Sequence, residues 1–249
     1  MFNPFSAIAF PASRFISQLQ QTTLLANPWL SLTEIRFDVQ QFDPALFAFY
    51  HIPQPAHLSQ AVIKRRAEYL ASRYAARVAL ASSGIVDFTL ENDADRAPMW
   101  PRGIIGSLSH TAQRAVIISA ADRPQRLAGV DVEQLMKADN ALELSEMIVS
   151  ASELHHLRQC GLPLTTALTL AFSLKESLYK ALYPHLRQFM DFHSAEVTKL
   201  DGETGEACLR LTRSFSAEFP AGRQFSGYFQ QQQDEIITLV ADEIHPAGG

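Results

Sequence analysis

The chain has 249 residues, enough for one large domain or two lobes of roughly 120 residues with a substantial core. Hydrophobic residues make up 47% and charged residues 19%, as in ordinary globular proteins. A net charge of −5 argues against a general nucleic-acid or anionic-membrane binder but allows a local basic pocket.

Residues 1 to 57 read as loop-rich, punctuated by Pro4, Pro11, Pro28, Pro44, Pro53 and Pro55, with one strand-like segment, Leu32 to Phe37. The apolar stretch Met1 to Phe10 lacks a basic leader and a small-residue cleavage pattern, so no secretory leader is expected. An uninterrupted helix is predicted over Ser59 to Ser82. Ile63, Ala67, Leu70, Tyr74 and Val78 form its apolar side, and Gly84 closes it. Lys64, Arg65, Arg66 and Arg73 lie on that helix, with Arg96 in the following loop. Such a group is either a solvated face or a set of planar forks suited to a phosphate monoester.

Ala97 to Gly106 reads as a shaped loop, and Gly106-Ser107-Leu108-Ser109-His110 as a turn just before a strand. Ser109 and His110 offer hydroxyl and imidazole to an anion, or serve structure alone. The turn lacks both the lysine of a Walker loop and the GxSxG of a nucleophile elbow. Strands are predicted at Arg114 to Ala120 and Leu127 to Glu133. The turn Asp122-Arg123-Pro124 marks the boundary between an N-terminal lobe of residues 1–124 and a C-terminal lobe of 125–249.

On the second of these strands, Asp131 and Glu133 share a face with Cα atoms roughly 6.6 Å apart, while Val130 and Val132 face the other way. Two like charges on one face need solvent or a cation, and carboxylates of this kind suit Mg²⁺. The alternative is a strand end running into water.

Helices are predicted at Ala141 to Val149, Ser152 to Cys160 and Thr165 to Tyr183. In the last, Leu174, Leu178, Ala181 and Leu182 repeat as a buried stripe, and Phe172, Glu176 and Lys180 stack along another side. Taken alone, Glu176 and Lys180 read as a surface ion pair. Strands are predicted at Ala195 to Leu200, Ala207 to Leu211, Gln224 to Gln230 and Ile236 to Val240, with Gln230 to Gln233 as a hairpin turn. Cys160 and Cys208 stand apart without metal-ligand spacing, which suits a reducing, cytoplasmic setting. No run approaches the ~18 apolar residues of a membrane span.

Five segments in order carry a family likeness. They are Lys64-Arg65-Arg66-Ala67-Glu68 with Arg73; Arg96-Ala97-Pro98-Met99-Trp100-Pro101; Gly106-Ser107-Leu108-Ser109-His110; Gly129-Val130-Asp131-Val132-Glu133; and Phe172-Ser173-Leu174-Lys175-Glu176-Ser177-Leu178-Tyr179-Lys180-Ala181. A lone DxE is weak evidence, but the ordered set resembles the 4'-phosphopantetheinyl transferases, and most closely the branch serving siderophore synthetases of the enterobactin type. The likeness runs from about Ala61 to Thr198 and weakens at both ends.

The resemblance implies an enzyme that moves the phosphopantetheine arm of coenzyme A to a serine of an apo acyl, aryl or peptidyl carrier protein, releasing adenosine 3',5'-bisphosphate. It implies Asp131, Glu133 and Glu176 as ligands of Mg²⁺, with Mn²⁺ the alternative metal. Glu176 would be the base and Lys180 the partner of the leaving group. Lys175, Ser109 and His110 would contact phosphate oxygens of coenzyme A, and Arg65, Arg73 and Arg96 its 3'-phosphate. Helical phase pairs Arg66 with Arg73, so the register at Arg65 stays open. The implied fold is α+β, two similar lobes related by a pseudo-twofold, each a small antiparallel sheet packed on a long helix, with coenzyme A between them. A monomer is implied. Two other readings stand beside this one: a different Mg²⁺-dependent phosphoryl-transfer or pyrophosphate-cleaving enzyme, and a non-catalytic carrier-binding subunit.

Overall fold

The computed structural model describes residues 2–123 and 126–243, which divide into two compact units at that break. The expected boundary after residue 124 falls on Pro124 and Gln125, outside the described residues. Each unit joins a five-stranded antiparallel sheet to one long helix, the α+β class expected from the sequence.

In the first unit the strands are β1 (Ser6–Ala7), β2 (Ile16–Thr23), β3 (Ser31–Phe37), β4 (Ile104–His110) and β5 (Arg114–Ala121), in the order β1-β2-β3-β5-β4. A short helix, α1 (Leu46–Phe49), precedes the long α2 (Ile63–Ala81). Alanines and leucines give α2 a smooth face: Ala67, Leu70, Ala71, Ala75 and Ala79 are fully buried and join Leu19, Ile35, Ala115 and Ile117 of the sheet in one core. Small side chains let the helix axis close on the strands without leaving voids.

Two expectations are corrected here. Residues 1 to 57 hold β1, β2 and α1 besides the expected β3. Gln18, Gln20 and Gln21 hide β2 in the sequence, yet Ile16 and Leu19 are buried and the strand pairs with β3 along its length. The Gly106-to-His110 segment is strand rather than turn, Ser107 lying opposite Ile118 and Ser109 opposite Val116. Gly106 is required there for space: a Cβ would stand 2.6 Å from the ring carbons of Trp100.

In the second unit the strands are β6 (Arg126–Gln134), β7 (Ala195–Asp201), β8 (Glu206–Leu211), β9 (Gln224–Gln232) and β10 (Glu235–Glu243), ordered β6-β10-β9-β8-β7. The helices are α3 (Ala138–Ile148), α4 (Ala151–Leu157) and α5 (Leu164–Leu186). The stripe Leu174, Leu178, Ala181 and Leu182 of α5 is buried against the sheet, as its spacing predicts. This helix runs one turn past Tyr183, through Pro184, and stops at Arg187 in the left-handed conformation, whose N–H donates to the Tyr183 carbonyl. The added turn packs Leu186 against the core. No helix among the described residues is long and apolar enough to cross a membrane.

Candidate active site

The site of interest forms where α5 lies on β6. Gly129, Asp131 and Glu133 alternate onto one face of β6. That face meets α5 so closely that a Cβ on Gly129 would come within 1.9 Å of the Ser177 carbonyl oxygen and 2.7 Å of the Ala181 nitrogen. Only glycine permits this approach. It sets the helix down one turn from the two carboxylates.

Asp131 is buried, and its Oδ1 accepts from Lys180 Nζ at 2.6 Å, while its Oδ2 accepts from Ser173 Oγ at 2.8 Å. Lys180 therefore reaches across to the strand. Glu133 and Glu176 are half-buried beside this pair. Burial pushes the Glu133 carboxyl up to about 7, the Asp131 and Glu176 charges add to the rise, and Lys180 opposes it. Burial and the Asp131 charge also raise Glu176, again against Lys180. The three expected acids and the lysine thus form one coupled electrostatic cluster.

The donor chemistry fits a divalent cation. Burial first, and then the charge of neighbouring carboxylates, disfavours ionised Glu133 and Glu176, and a hard cation offsets both effects. Among the described residues, no three His, Cys, Asp or Glu side chains are already arranged as a metal cage. The cation now facing Asp131 is the Lys180 ammonium.

Lys175 was expected on phosphate oxygens and is found elsewhere. Its side chain is buried, with Nζ donating to Glu153 Oε2 at 2.7 Å and to the Ile148 carbonyl at 2.8 Å. The second oxygen of Glu153 accepts from the Val197 N–H at 2.7 Å. Glu153 itself follows Ser150, whose hydroxyl caps α4. One buried ion pair therefore ties α5 to α4, to the end of α3 and to β7.

The remaining predicted residues belong to the first unit. Arg73 is buried, stacked 4.7 Å from the Tyr69 ring centroid, with Nη2 donating to Asn92 Oδ1 at 2.8 Å. Its Nε is buried without a hydrogen-bond partner. Burial lowers the guanidinium pKa. Arg65 is exposed, whereas Arg66 stacks over Phe42 at 5.5 Å. Arg96 is exposed at φ 67°, in a turn whose Asp93 Oδ1 accepts from the Asp95 and Ala97 N–H groups. On β4, Ser107 and Ser109 are buried and His110 is exposed at the strand's end.

Sequence reasoning missed the polar groups behind the acids: Ser173, Ser177 and Thr238 in the core, and Glu153 as the partner of Lys175. The one available signal was Gly129, whose lack of a side chain marks a close approach.

The description "4'-phosphopantetheinyl transferase N-terminal domain" matches residues 54–120, and "4'-phosphopantetheinyl transferase superfamily" matches residues 128–238. The chain is similar to enterobactin synthase component D of Salmonella typhimurium, at 35% identity over 209 residues that cover 83% of this chain and 86% of the relative. With the protein of the same name from Escherichia coli K12 the identity is 37% over 144 residues, or 57% of this chain and 68% of the relative. The 4'-phosphopantetheinyl transferase Svp of Streptomyces mobaraensis is 30% identical over 226 residues, 89% of each chain.

Proposed function

Since the chain belongs to the 4'-phosphopantetheinyl transferase superfamily, and so moves phosphopantetheine from coenzyme A to carrier proteins, we propose that it activates the carriers of a siderophore nonribosomal peptide synthetase through the cluster around Asp131. The observation that carries this is the convergence of Asp131, Glu133, Glu176 and Lys180 where α5 meets β6 at Gly129.

In this reading Asp131, Glu133 and Glu176 hold Mg²⁺, with Mn²⁺ the substitute. When bound, the metal neutralises charge on the coenzyme A diphosphate. Glu176, made more basic by burial and by Asp131, removes the proton of the carrier serine. The serine oxygen forms its bond to the phosphorus of the phosphopantetheine arm, and the bridging oxygen departs with adenosine 3',5'-bisphosphate. Lys180 swings from Asp131 to meet the negative charge on that oxygen, or to protonate it. Such transfer depends chiefly on positioning and charge stabilisation, which a fixed, buried cluster supplies.

The first unit would bind the rest of coenzyme A, with Arg65, Arg73 and Arg96 toward the 3'-phosphate, and Ser109 and His110 toward the diphosphate. Exposure of Arg65, Arg96 and His110 supports that role. Lys175 would act on phosphate only by leaving its pair with Glu153, so its part here is to hold α5. The enzyme would work as a cytoplasmic monomer, a setting that suits the two free cysteines.

The test is to incubate the purified chain with Mg²⁺, coenzyme A and an apo carrier of a siderophore synthetase, and to weigh the carrier. A gain of one phosphopantetheine is expected, with Glu176→Gln slowing it by about 10²- to 10⁴-fold. Cleavage of coenzyme A without any gain in carrier mass would instead support the pyrophosphate-cleaving alternative. Carrier binding with no turnover would support the non-catalytic subunit.

A further inference from the structure

Behind Asp131 lies a line of buried hydroxyls. Ser173 Oγ donates to Asp131 Oδ2 at 2.8 Å and lies 2.8 Å from Thr238 Oγ1. Thr238 Oγ1 lies 2.8 Å from Ser177 Oγ, which also reaches the Thr238 carbonyl at 3.1 Å. Ser173, Ser177 and Thr238 are each 0% exposed, so solvent does not compete for these bonds. The serines stand one turn apart on α5, and Thr238 sits directly opposite Asp131 in the β10–β6 register.

Each hydroxyl has one proton, and an ionised carboxylate only accepts. The proton of Ser173 goes to Asp131, so Ser173 accepts from Thr238, and Thr238 in turn from Ser177, whose single proton is shared between Thr238 Oγ1 and the Thr238 carbonyl. The bonds then run one way, Ser177 to Thr238 to Ser173 to Asp131, each polarising the next toward the anion. Three hydroxyls in a core are costly unless they are hydrogen-bonded, and here each one is.

We infer that Ser177, Thr238 and Ser173 are positioning residues that hold the Asp131 carboxylate in one rotamer, with Oδ2 pinned from behind and Oδ1 presented to Lys180 or to a metal ion. This rests on the metal role given to Asp131 above. Partners that orient a ligating carboxylate set metal affinity as well as rate, typically by about 10- to 100-fold.

The full chain is tested with coenzyme A present, reading free Mn²⁺ by electron paramagnetic resonance and Tm in parallel. Ser173→Ala is expected to weaken Mn²⁺ binding by about 10-fold or more, and the isosteric Thr238→Val by a smaller factor. Leu209→Val, in the same unit's core, supplies a control of lowered Tm that should leave Mn²⁺ affinity unchanged. Wild-type Mn²⁺ affinity in Ser173→Ala would overturn the inference. So would an equal loss in a Leu209 control of the same Tm, or an absence of Mn²⁺ binding by the wild type. Should the wild type bind Mn²⁺ but fail to load any carrier, the functional reading falls, while a weakened Ser173→Ala still upholds the positioning role.

Discussion

Lys180 Nζ lies 2.6 Å from Asp131 Oδ1, an ion pair that spans 49 residues of sequence and fastens the middle of α5 to β6. Glu133 and Glu176 both feel this ammonium, so Lys180 is the positive centre of a group of three acids. Removing it exposes those acids to one another and, in the proposed mechanism, deprives the departing bisphosphate of the Lys180 ammonium. Lys180→Ala is expected to lower the turnover number for carrier loading by about 10²- to 10³-fold with the fold retained. Steady-state kinetics and far-ultraviolet circular dichroism check both halves of this statement.

The raised Glu133 carboxyl links stability to pH. Its folded value, about 7, lies above the ordinary 4.5, so between these values the folded protein keeps a proton that the unfolded chain has lost. The contribution is complete below about 4.5 and disappears as pH rises through about 7. Over that range it amounts to about 3 kcal/mol at face value, or about 1–2 kcal/mol once solvent at the half-buried side chain is counted. Urea titrations of metal-free protein at pH 5 and pH 7.5 should show this loss, and Glu133→Gln should flatten it. Added Mg²⁺ should stabilise the wild type more at pH 7.5 than at pH 5.

Lys175 and Glu153 form a pair with side-chain exposures of 3% and 2%. Lys175→Met strands a buried carboxylate that keeps the Val197 N–H but loses its cation. The expected cost is about 3–5 kcal/mol by denaturant unfolding. Lys175→Met with Glu153→Leu, which removes both charges, should recover part of that loss, the Val197 N–H being left without its acceptor. If the double variant keeps its KM for coenzyme A, Lys175 has no part in phosphate binding; a KM raised tenfold or more would restore that role.

Gly129→Ala tests the contact that builds the site. The new Cβ meets backbone atoms of Ser177 and Ala181, which no side-chain rotation can relieve. The helix must lift from β6, and a destabilisation of about 3 kcal/mol is expected, at the upper end for an overpacked core. Activity should fall further than stability does, because Lys180 and Glu176 ride on the displaced helix. Unfolding midpoints and loading rates measured on one preparation compare the two losses.

The elements of the second unit were largely legible, since their periods are local. The Leu174, Leu178 and Leu182 stripe announces a helix side, and Asp131 with Glu133 announces a strand face. In the first unit β2 is masked because glutamines occupy both faces of the strand, Gln21 sharing the side of buried Leu19 and donating to Ser82 at the end of α2, so the apolar alternation is broken. The Gly106-to-His110 segment was misread because glycine and serine favour turns, whereas here Gly106 serves to admit the Trp100 ring.

Sequence alone was enough to determine the family and the order of its motifs, and to single out the acids and lysine proposed for the chemistry. Spacing along one helix, however, says only which residues share a side. It could not show that Lys180 joins Asp131, that Lys175 turns inward to Glu153, or that Thr238 completes a hydroxyl line to Ser173 from 65 residues away. The first and last of these pairings depend on how closely α5 settles on β6 and β10. That approach is decided at Gly129, where the missing side chain lets two backbones touch.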